Sequence, residues 1–435
     1  MLDNKNSKIV SFITLGCKVN QYETNAMAQQ FKEKGYKVIE EESKADIYVI
    51  NTCTVTNMSD RKSRQMLRRM KDINKNAVIV ACGCYVQVSR EEIEKMEEID
   101  LILGNNEKKN IVEYVEKYMN KNKKKENIQN IMKQREFIDF GDVTYTEKTR
   151  AVIKVQDGCD RFCSYCIIPY ARGRVRSRKP QSVISEIEKI AKQGIKEVVV
   201  TGIHIASYGK DFDNSYKLID LLEEINRIEG ITRIRLGSIE PLLITEEFVK
   251  RLKKLEKICH HFHLSLQSGC DETLKRMNRR YTTEEFKKIV NILRKNYEDV
   301  ILTTDIIVGF PGETKEEFNK TYEFLKNIKF YKMHVFKYSP RKGTKAAQMS
   351  RQVDGTEKEI RSKKLIELSD FNEKIYNESY LGKEVEVLFE EEKEGLYRGH
   401  TKNYILVYYK SDEKLENKLK KVICKKVEKN HIIAE

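Results

Sequence analysis

The 435-residue sequence predicts an α/β protein in three parts: an N-terminal parallel α/β domain, a central partial (β/α)6 barrel, and a small C-terminal β-barrel. Three observations carry this. Strand-like apolar runs alternate with amphipathic stretches from Lys8 to about Met119, and again from Ala151 to Tyr338, the pattern that builds parallel sheets. A polar, lysine-rich stretch separates the two regions. Beyond about residue 377 the pattern becomes short strand-like runs between charged turns, as in small all-β modules. The expected domains are residues 1–120, a charged linker at 121–145, the barrel at 146–376 and the β-module at 377–435.

In the N-terminal part the predicted strands are Ile9–Leu15, Asp46–Ile50, Ala77–Ala81 and Ile99–Leu103. Cysteines lie just past the first three, in Gly16-Cys17, Asn51-Thr52-Cys53 and Cys82-Gly83-Cys84. Strand C-termini of open α/β sheets border a common crevice, so three thiols distant in sequence can share one site. The plainer reading is that cysteine fills strand ends as a small buried hydrophobe. From Asn120 to Arg135 the chain is polar and aperiodic, which reads as a linker.

The barrel strands are expected at Ala151–Gln156, Glu197–Thr201, Arg233–Gly237, His261–Gln267, Ile301–Val308 and Met333–Tyr338. Helices are expected at Ser182–Gln193, Thr245–Lys257 and Thr283–Lys295. Six units fall short of the eight of a closed barrel, and chemistry in such folds sits on the loops after the strands. Those loops hold Cys159-x3-Cys163-x2-Cys166, Gly202-Ile203-His204, Ser238-Ile239-Glu240-Pro241, Ser268-Gly269-Cys270, Gly309-Phe310-Pro311-Gly312-Glu313-Thr314 and Ser339-Pro340-Arg341. Glycines there admit close backbone approach, and Ser, Gln and Glu can bond hydroxyl and amino groups.

Three thiolates within one short loop suit an iron–sulfur cluster that leaves one iron open. Structural zinc is the rival, needing a fourth donor that only Cys259, His260, His261 or His263 could supply. Ten cysteines with no apolar stretch of about 18 residues and no leader-like segment lead to the expectation of a cytoplasmic, non-membrane protein with reduced thiols. The formal charge of +15 suggests an anionic partner such as nucleic acid, or only a lysine-rich composition. Arg172, Arg174, Arg176 and Arg178 after the cysteine loop are candidate phosphate contacts. Arg61, Arg64 and Arg68 share a helix face that could be merely solvated. The last 59 residues hold 12 Lys/Arg against 12 Asp/Glu, so any RNA binding there would depend on aromatic faces.

Cys159-x3-Cys163-x2-Cys166, with Tyr165 before the last cysteine, resembles the signature of radical S-adenosylmethionine (SAM) enzymes. The whole chain is similar to one branch, the methylthiotransferases. The similarity runs through Gly16-Cys17-Lys18-Val19-Asn20, Asn51-Thr52-Cys53, Gly83-Cys84-Tyr85-Val86-Gln87, Pro169-Tyr170-Ala171-Arg172-Gly173 and Asp305-Ile306-Ile307-Val308-Gly309-Phe310-Pro311-Gly312-Glu313-Thr314. The resemblance implies a radical-SAM barrel and two [4Fe-4S] clusters, with one SAM donating methyl and a second generating the radical. It assigns Cys159, Cys163 and Cys166 to the SAM cluster and Cys17, Cys53 and Cys84 to an auxiliary one, with Cys82 as an alternative to Cys84. Tyr165, Gly202, Ser238, Glu240, Gln267 and Gly309 would line SAM.

Residues Gly399-His400-Thr401-Lys402-Asn403-Tyr404 resemble the TRAM RNA-binding module, making Lys402 and Tyr404 candidate RNA contacts. Thr201-Gly202-Ile203-His204 through Gly209, with Lys18-Val19-Asn20 and Ser339-Pro340-Arg341, is most similar to the branch acting on threonylcarbamoyladenosine in the tRNA anticodon loop. Other branches act on isopentenyladenosine or on a ribosomal aspartate. An electron donor such as flavodoxin or ferredoxin and an unidentified sulfur source are further implied. A non-catalytic iron–sulfur RNA-binding protein is the reading from a different class.

Overall fold

Strands buried on both faces read as continuous apolar runs and need helices on each side; Ile47–Thr52, with every residue buried, is such a run. A computed structural model describes residues 8–40, 42–121, 125–145 and 149–435. Its first sheet is wholly parallel and joins β1 (Ile9–Thr14), β2 (Lys37–Ile39), β3 (Ile47–Thr52), β4 (Val78–Gly83), β5 (Leu101–Leu103) and β6 (Lys125–Asn127) in the order β2-β1-β3-β4-β5-β6. One face packs Val10, Phe12, Val49 and Cys82 with Phe31 and Val115 of the covering helices. The other packs Ile13, Ile50 and Ala81 against Leu67 and Met70 of the helix Asn57–Ile73.

The linker expectation needs correction over residues 125–145. β6 adds an edge to the sheet by backbone pairing with β5, so its sequence Lys-Glu-Asn carries no apolar signal. The chain then runs as a strap between the domains. Ile131 and Val143 are buried, Gln29 Oε1 accepts from Thr144 N at 2.8 Å, and Ser182 Oγ donates to Asp139 Oδ2 at 2.6 Å. Residues 122–124 and 146–148, next to the expected linker and barrel boundaries, lie outside the described residues.

The central domain contains β7 (Arg150–Asp157), β8 (Arg176–Ser177), β9 (Glu197–Gly202), β10 (Arg233–Leu236), β11 (His261–Gln267), β12 (Ile301–Val308) and β13 (Lys332–Lys337). They form the sheets β10-β9-β7-β8 and β11-β12-β13, joined by parallel bridges Ile234 to Ile258 and Ile239 to Leu264. Six parallel strands thus make an open barrel, and the short antiparallel β8 lies beside the end of β7. Helices including Pro180–Lys192, Thr283–Asn296 and Lys315–Ile328 surround it. The last two begin with capping boxes, Thr282 with Glu285 and Thr314 with Glu317, which satisfy the free amides of a first turn.

A 24-residue helix, Gly355–Glu378, packs on β13 and leads to the C-terminal barrel. That barrel closes β14 (Glu384–Lys393), β15 (Leu396–Thr401), β16 (Leu406–Tyr409), β17 (Leu419–Glu428) and β18 (His431–Ala434) in the order β14-β15-β16-β18-β17. Its core of Val387, Phe389, Val407 and Ile432 extends onto Ile301 and Tyr331 of the central domain. Arg233 Nη1 donates to His400 O at 2.8 Å, and Asn403 Nδ2 to Asp299 O at 2.9 Å. Among the described residues no helix is long and apolar enough to cross a membrane.

Candidate cluster and cofactor site

Two glycines give the N-terminal cysteines their positions. Gly16 and Gly83 both adopt φ +103°, where a side chain is strained. A Cβ on Gly16 would lie 2.8 Å from Cys53 Cβ, and one on Gly83 would lie 2.5 Å from Thr52 O. The turns after β1, β3 and β4 can therefore close together, and Cys17, Cys53 and Cys84 line one cavity of about 440 Å³ with Asn20, Val55 and Ile168. Asn20 Nδ2 donates to Leu15 O at 2.7 Å and to Thr52 O at 3.0 Å, tying the first two turns. Cys82 is fully buried among the residues of the opposite sheet face, and its Sγ lies 3.7 Å from Ile50 O.

The cysteine loop after β7 is shaped by Gly158 at φ +71°, where a Cβ would sit 1.8 Å from Arg174 O. Cys159 N donates to Gly173 O at 3.0 Å, and Cys166 N to Cys163 O at 2.9 Å. The segment after β11 supports the loop: Ser164 N donates to Met277 O, and Asn278 Nδ2 donates to Phe162 O at 3.1 Å. Burial pushes the thiols of Cys159 and Cys53 up to about 11 and that of Cys166 up to about 12. These sulfurs ionise readily only with a metal's charge beside them, so the donor set fits a metal cluster.

The zinc alternative loses its fourth donor. Cys259, His260, His261 and His263 lie at or before the amino-terminal half of β11, whereas the cysteine loop follows the carboxyl end of β7. His261 and His263 instead share Thr303 Oγ1, each at 3.0 Å, and His260 lies 2.5 Å from Asp299. Among the described residues no three His, Cys, Asp or Glu side chains are grouped to hold a single ion.

A second cavity, of about 400 Å³, has Cys17 of the first triad and Cys166 of the second in its wall, with Tyr165, Gln267, Asp305 and Phe336. Gln267 stands at φ +74°, an uncommon conformation for a side-chain-bearing residue. Glu240 is buried and faces Arg279 at 3.1 Å and His204 at 3.6 Å. Burial alone would raise its carboxyl pKa, but His204 and Arg279 hold it below the ordinary value. Ser238 Oγ meets Ser265 Oγ at 2.7 Å. Gly309 has φ +68°, and the Lys358 side chain fills the space a Cβ would take, 2.3 Å from its position, while Gly202 packs on Gln156 in the same way, at 2.8 Å from its backbone oxygen. Tyr165 meets Phe310 edge-on at 6.5 Å.

Three of the four arginines expected to contact RNA face inward. Arg172 and Arg178 are fully buried and Arg176 nearly so. Arg172 bonds Glu23 and Asn20, Arg176 Nη2 donates to Arg172 O at 2.6 Å, and Arg178 Nη1 meets Glu186 Oε2 at 3.0 Å. Buried carboxylates brought by other elements replaced the phosphates the run suggested. Arg174 is exposed and pairs with Asp160.

Lys402 and Tyr404 are likewise docking residues. Lys402 Nζ donates to Glu256 O. The Tyr404 ring stacks with His261 at 4.5 Å and with His400 at 4.6 Å, and Arg235 lies over it at 4.7 Å. The residues that sequence reasoning missed are Glu23 and Asp157, which meet Arg172, and Lys108 and Lys154, which pair with those carboxylates. For Glu23, Lys154 and Asp157 the one sequence hint is charge among the buried positions of Lys18–Glu33 and β7.

The Radical SAM superfamily model matches residues 153–325, and that of the Uncharacterized protein family UPF0004 matches residues 9–104. The threonylcarbamoyladenosine tRNA methylthiotransferase MtaB of Bacillus subtilis (strain 168) is 44% identical, over 95% of this chain and 93% of its own. The enzyme of that name from Aquifex aeolicus (strain VF5) is 42% identical over 91% of this chain and 95% of its own. A tRNA-2-methylthio-N(6)-dimethylallyladenosine synthase of Clostridium tetani (strain Massachusetts / E88) is 37% identical over 89% and 87%. Among solved structures, the radical S-adenosylmethionine methyltransferase TsrM from Kitasatospora setae matches in fold, with a TM-score of 0.55 at 16% identity over 76% of this chain and 73% of that one. With three parallel-strand cysteine turns, an open barrel carrying the CxxxCxxC loop and full-length relatives, the chain belongs to the radical SAM tRNA methylthiotransferases, enzymes that use SAM and [4Fe-4S] clusters.

Proposed function

We propose that this enzyme converts N6-threonylcarbamoyladenosine at position 37 of tRNA, beside the anticodon, to its 2-methylthio derivative, in the cytoplasm. The similarity to relatives named for that substrate supports this choice. The observation that carries the site reading is the cavity whose wall includes both Cys17 and Cys166: one base within it would border both triads. Cys159, Cys163 and Cys166 hold the SAM cluster, and Cys17, Cys53 and Cys84 hold the auxiliary one.

Bound together, the clusters and two SAM molecules supply the methyl group, the sulfur and a 5′-deoxyadenosyl radical. The protein's own residues bind and orient. Glu240, fixed by Arg279 and His204, accepts from a cationic amino group, and Ser238 and Gln267 bond hydroxyls. Gly202 and Gly309 border the cofactor, their missing side chains leaving room for Gln156 and Lys358 beside it, and Tyr165 closes the adenine side. Asp305 and Phe336 line the space for a base taken out of its stack. A flavodoxin or ferredoxin delivers the electron.

The test is mass spectrometry of nucleosides from tRNA of a host lacking its own methylthiotransferases, grown with little oxygen, with and without this chain. Appearance of methylthiolated threonylcarbamoyladenosine supports the proposal. A methylthiolated isopentenyladenosine would move the substrate to the other tRNA branch. No new nucleoside despite intact clusters would point to a protein aspartate.

A further inference from the structure

A knot of buried charge lies behind Cys84. The side chains of Lys108, Lys154, Arg172 and Arg176 are at most 2% exposed, and the carboxylates facing them, Glu23 and Asp157, are 2% and 7% exposed. Glu23 takes Lys108 at 2.6 Å, Lys154 at 2.7 Å and both terminal nitrogens of Arg172. Asp157 takes Lys154 at 2.6 Å, with Arg172 and Arg176 at 3.5 and 3.6 Å. Although burial would raise it, the Glu23 carboxyl is held well below its ordinary value by Arg172, Lys108 and Lys154.

Four buried cations meet two buried carboxylates, and the next acid to act on them, Asp211 beside Arg176, is solvent-exposed, so the buried knot carries an excess of positive charge. Arg176 Nε and Nη1 also have no hydrogen-bond partner there. Buried charge without a counter-charge is strongly unfavourable. The knot's one contact with a group able to take up negative charge on ligating metal is Arg172 Nε, which donates to Cys84 Sγ at 3.1 Å. A neutral thiol is a weak acceptor, whereas a metal-bound thiolate accepts a charge-assisted bond. Arg172 cannot swing away, since Glu23 and Asn20 Oδ1 hold both its terminal nitrogens.

We infer that Arg172, a residue of the central barrel, tunes the auxiliary cluster of the N-terminal domain: its N–H···S bond to Cys84 and the uncompensated charge behind it stabilise the reduced cluster and hold its iron. This rests on the assignment of Cys84 as a ligand given above. Reduction adds negative charge to the cluster, and hydrogen bonds to cluster sulfur and nearby charge set its potential. Outer residues that orient a ligand also govern metal retention. Arg172 ends the short helix Ile168–Arg172, which begins two residues after Cys166, so the same segment serves both triads.

The experiment uses the anaerobically reconstituted full chain with Cys159, Cys163 and Cys166 changed to alanine, so that only the auxiliary cluster remains. Iron content, the midpoint potential from an EPR-monitored redox titration and the rate of iron loss to a chelator are compared with Arg172→Lys and Arg172→Met. The expected result is a midpoint shifted to more negative potential in both, more in Arg172→Met, with iron loss from Arg172→Met roughly ten-fold faster. An unchanged midpoint and chelation rate in Arg172→Met would overturn the inference. Retention of full iron by Cys84→Ala in the same background would instead overturn the ligand assignment beneath it. Should Arg172→Met fail to fold, Lys108→Met, which removes one charge of the knot without touching Cys84, decides: a smaller negative shift supports the inference and none refutes it.

Discussion

Arg341 Nη2 donates to Asp60 Oδ2 at 2.5 Å, fastening the loop after β13 to the helix that follows Cys53. The same guanidinium reaches Thr54 Oγ1 at 2.7 Å and Asn57 Oδ1 at 2.6 Å, and Asn57 N donates to Ser339 Oγ at 3.0 Å. This clamp and the strap at 128–145 bind the N-terminal domain to the barrel from different sides. Arg341→Ala strands a buried carboxylate and is expected to cost about 3 kcal/mol, read as a lower urea midpoint by circular dichroism. Asp60→Asn in the same background should recover part of the loss by removing the stranded charge.

The two neighbouring cysteines of β4 and its turn should behave in opposite ways. Cys84 lines the cavity with Cys17 and Cys53, while Cys82 packs in the opposite core. Cys82→Ala is expected to retain both clusters, and Cys84→Ala to lose about four irons per chain. Iron and sulfide assays on anaerobically purified protein check both.

Gly158→Ala puts a methyl group 1.8 Å from a backbone oxygen at a positive φ. The loop cannot close over that contact, so iron at the barrel triad should fall by most of its value. The auxiliary cluster should persist, leaving about half the iron and abolishing reductive cleavage of SAM.

Docking of the C-terminal barrel should depend on pH. Burial, then Arg235 and other nearby cations, holds the His261 imidazole well below its ordinary value of 6.5, so it is neutral in the folded protein. Below pH 6.5 the unfolded chain therefore binds the additional proton, and stability falls as pH drops from 6.5. The slope is at most about 1.4 kcal/mol per pH unit for this one group. Above 6.5 the term is constant. Urea titrations at pH 7.5, 6.5 and 5.5 measure it, and His261→Phe, which keeps a ring against Tyr404, should flatten the slope.

Much of the fold was legible because it is written locally. The β-branched runs of β3, β9 and β12 announce buried parallel strands, and the spacing of Cys159, Cys163 and Cys166 announces their chemistry. β6 and β8 went unseen because they join their sheets through backbone bonds, with no apolar alternation to betray them. The arginine run misled for a different reason. Gly173 at φ +74° turns the chain, and the carboxylates that receive Arg172 and Arg178, Glu23 and Glu186, come from separate helices. A basic run aimed at phosphate and one aimed at distant buried acids look alike in one dimension.

The stack of His261, Tyr404 and His400 bears on how the chain can be divided. Tyr404 belongs to the C-terminal barrel, yet its ring covers Arg235, itself paired with Glu197 at 2.7 Å inside the central barrel. A fragment ending at residue 376 would uncover that floor to water, along with the face of Ile301 and Tyr331. The boundary at which the composition changes is thus a poor place to cut, and the appendage functions as the plug of the barrel it follows.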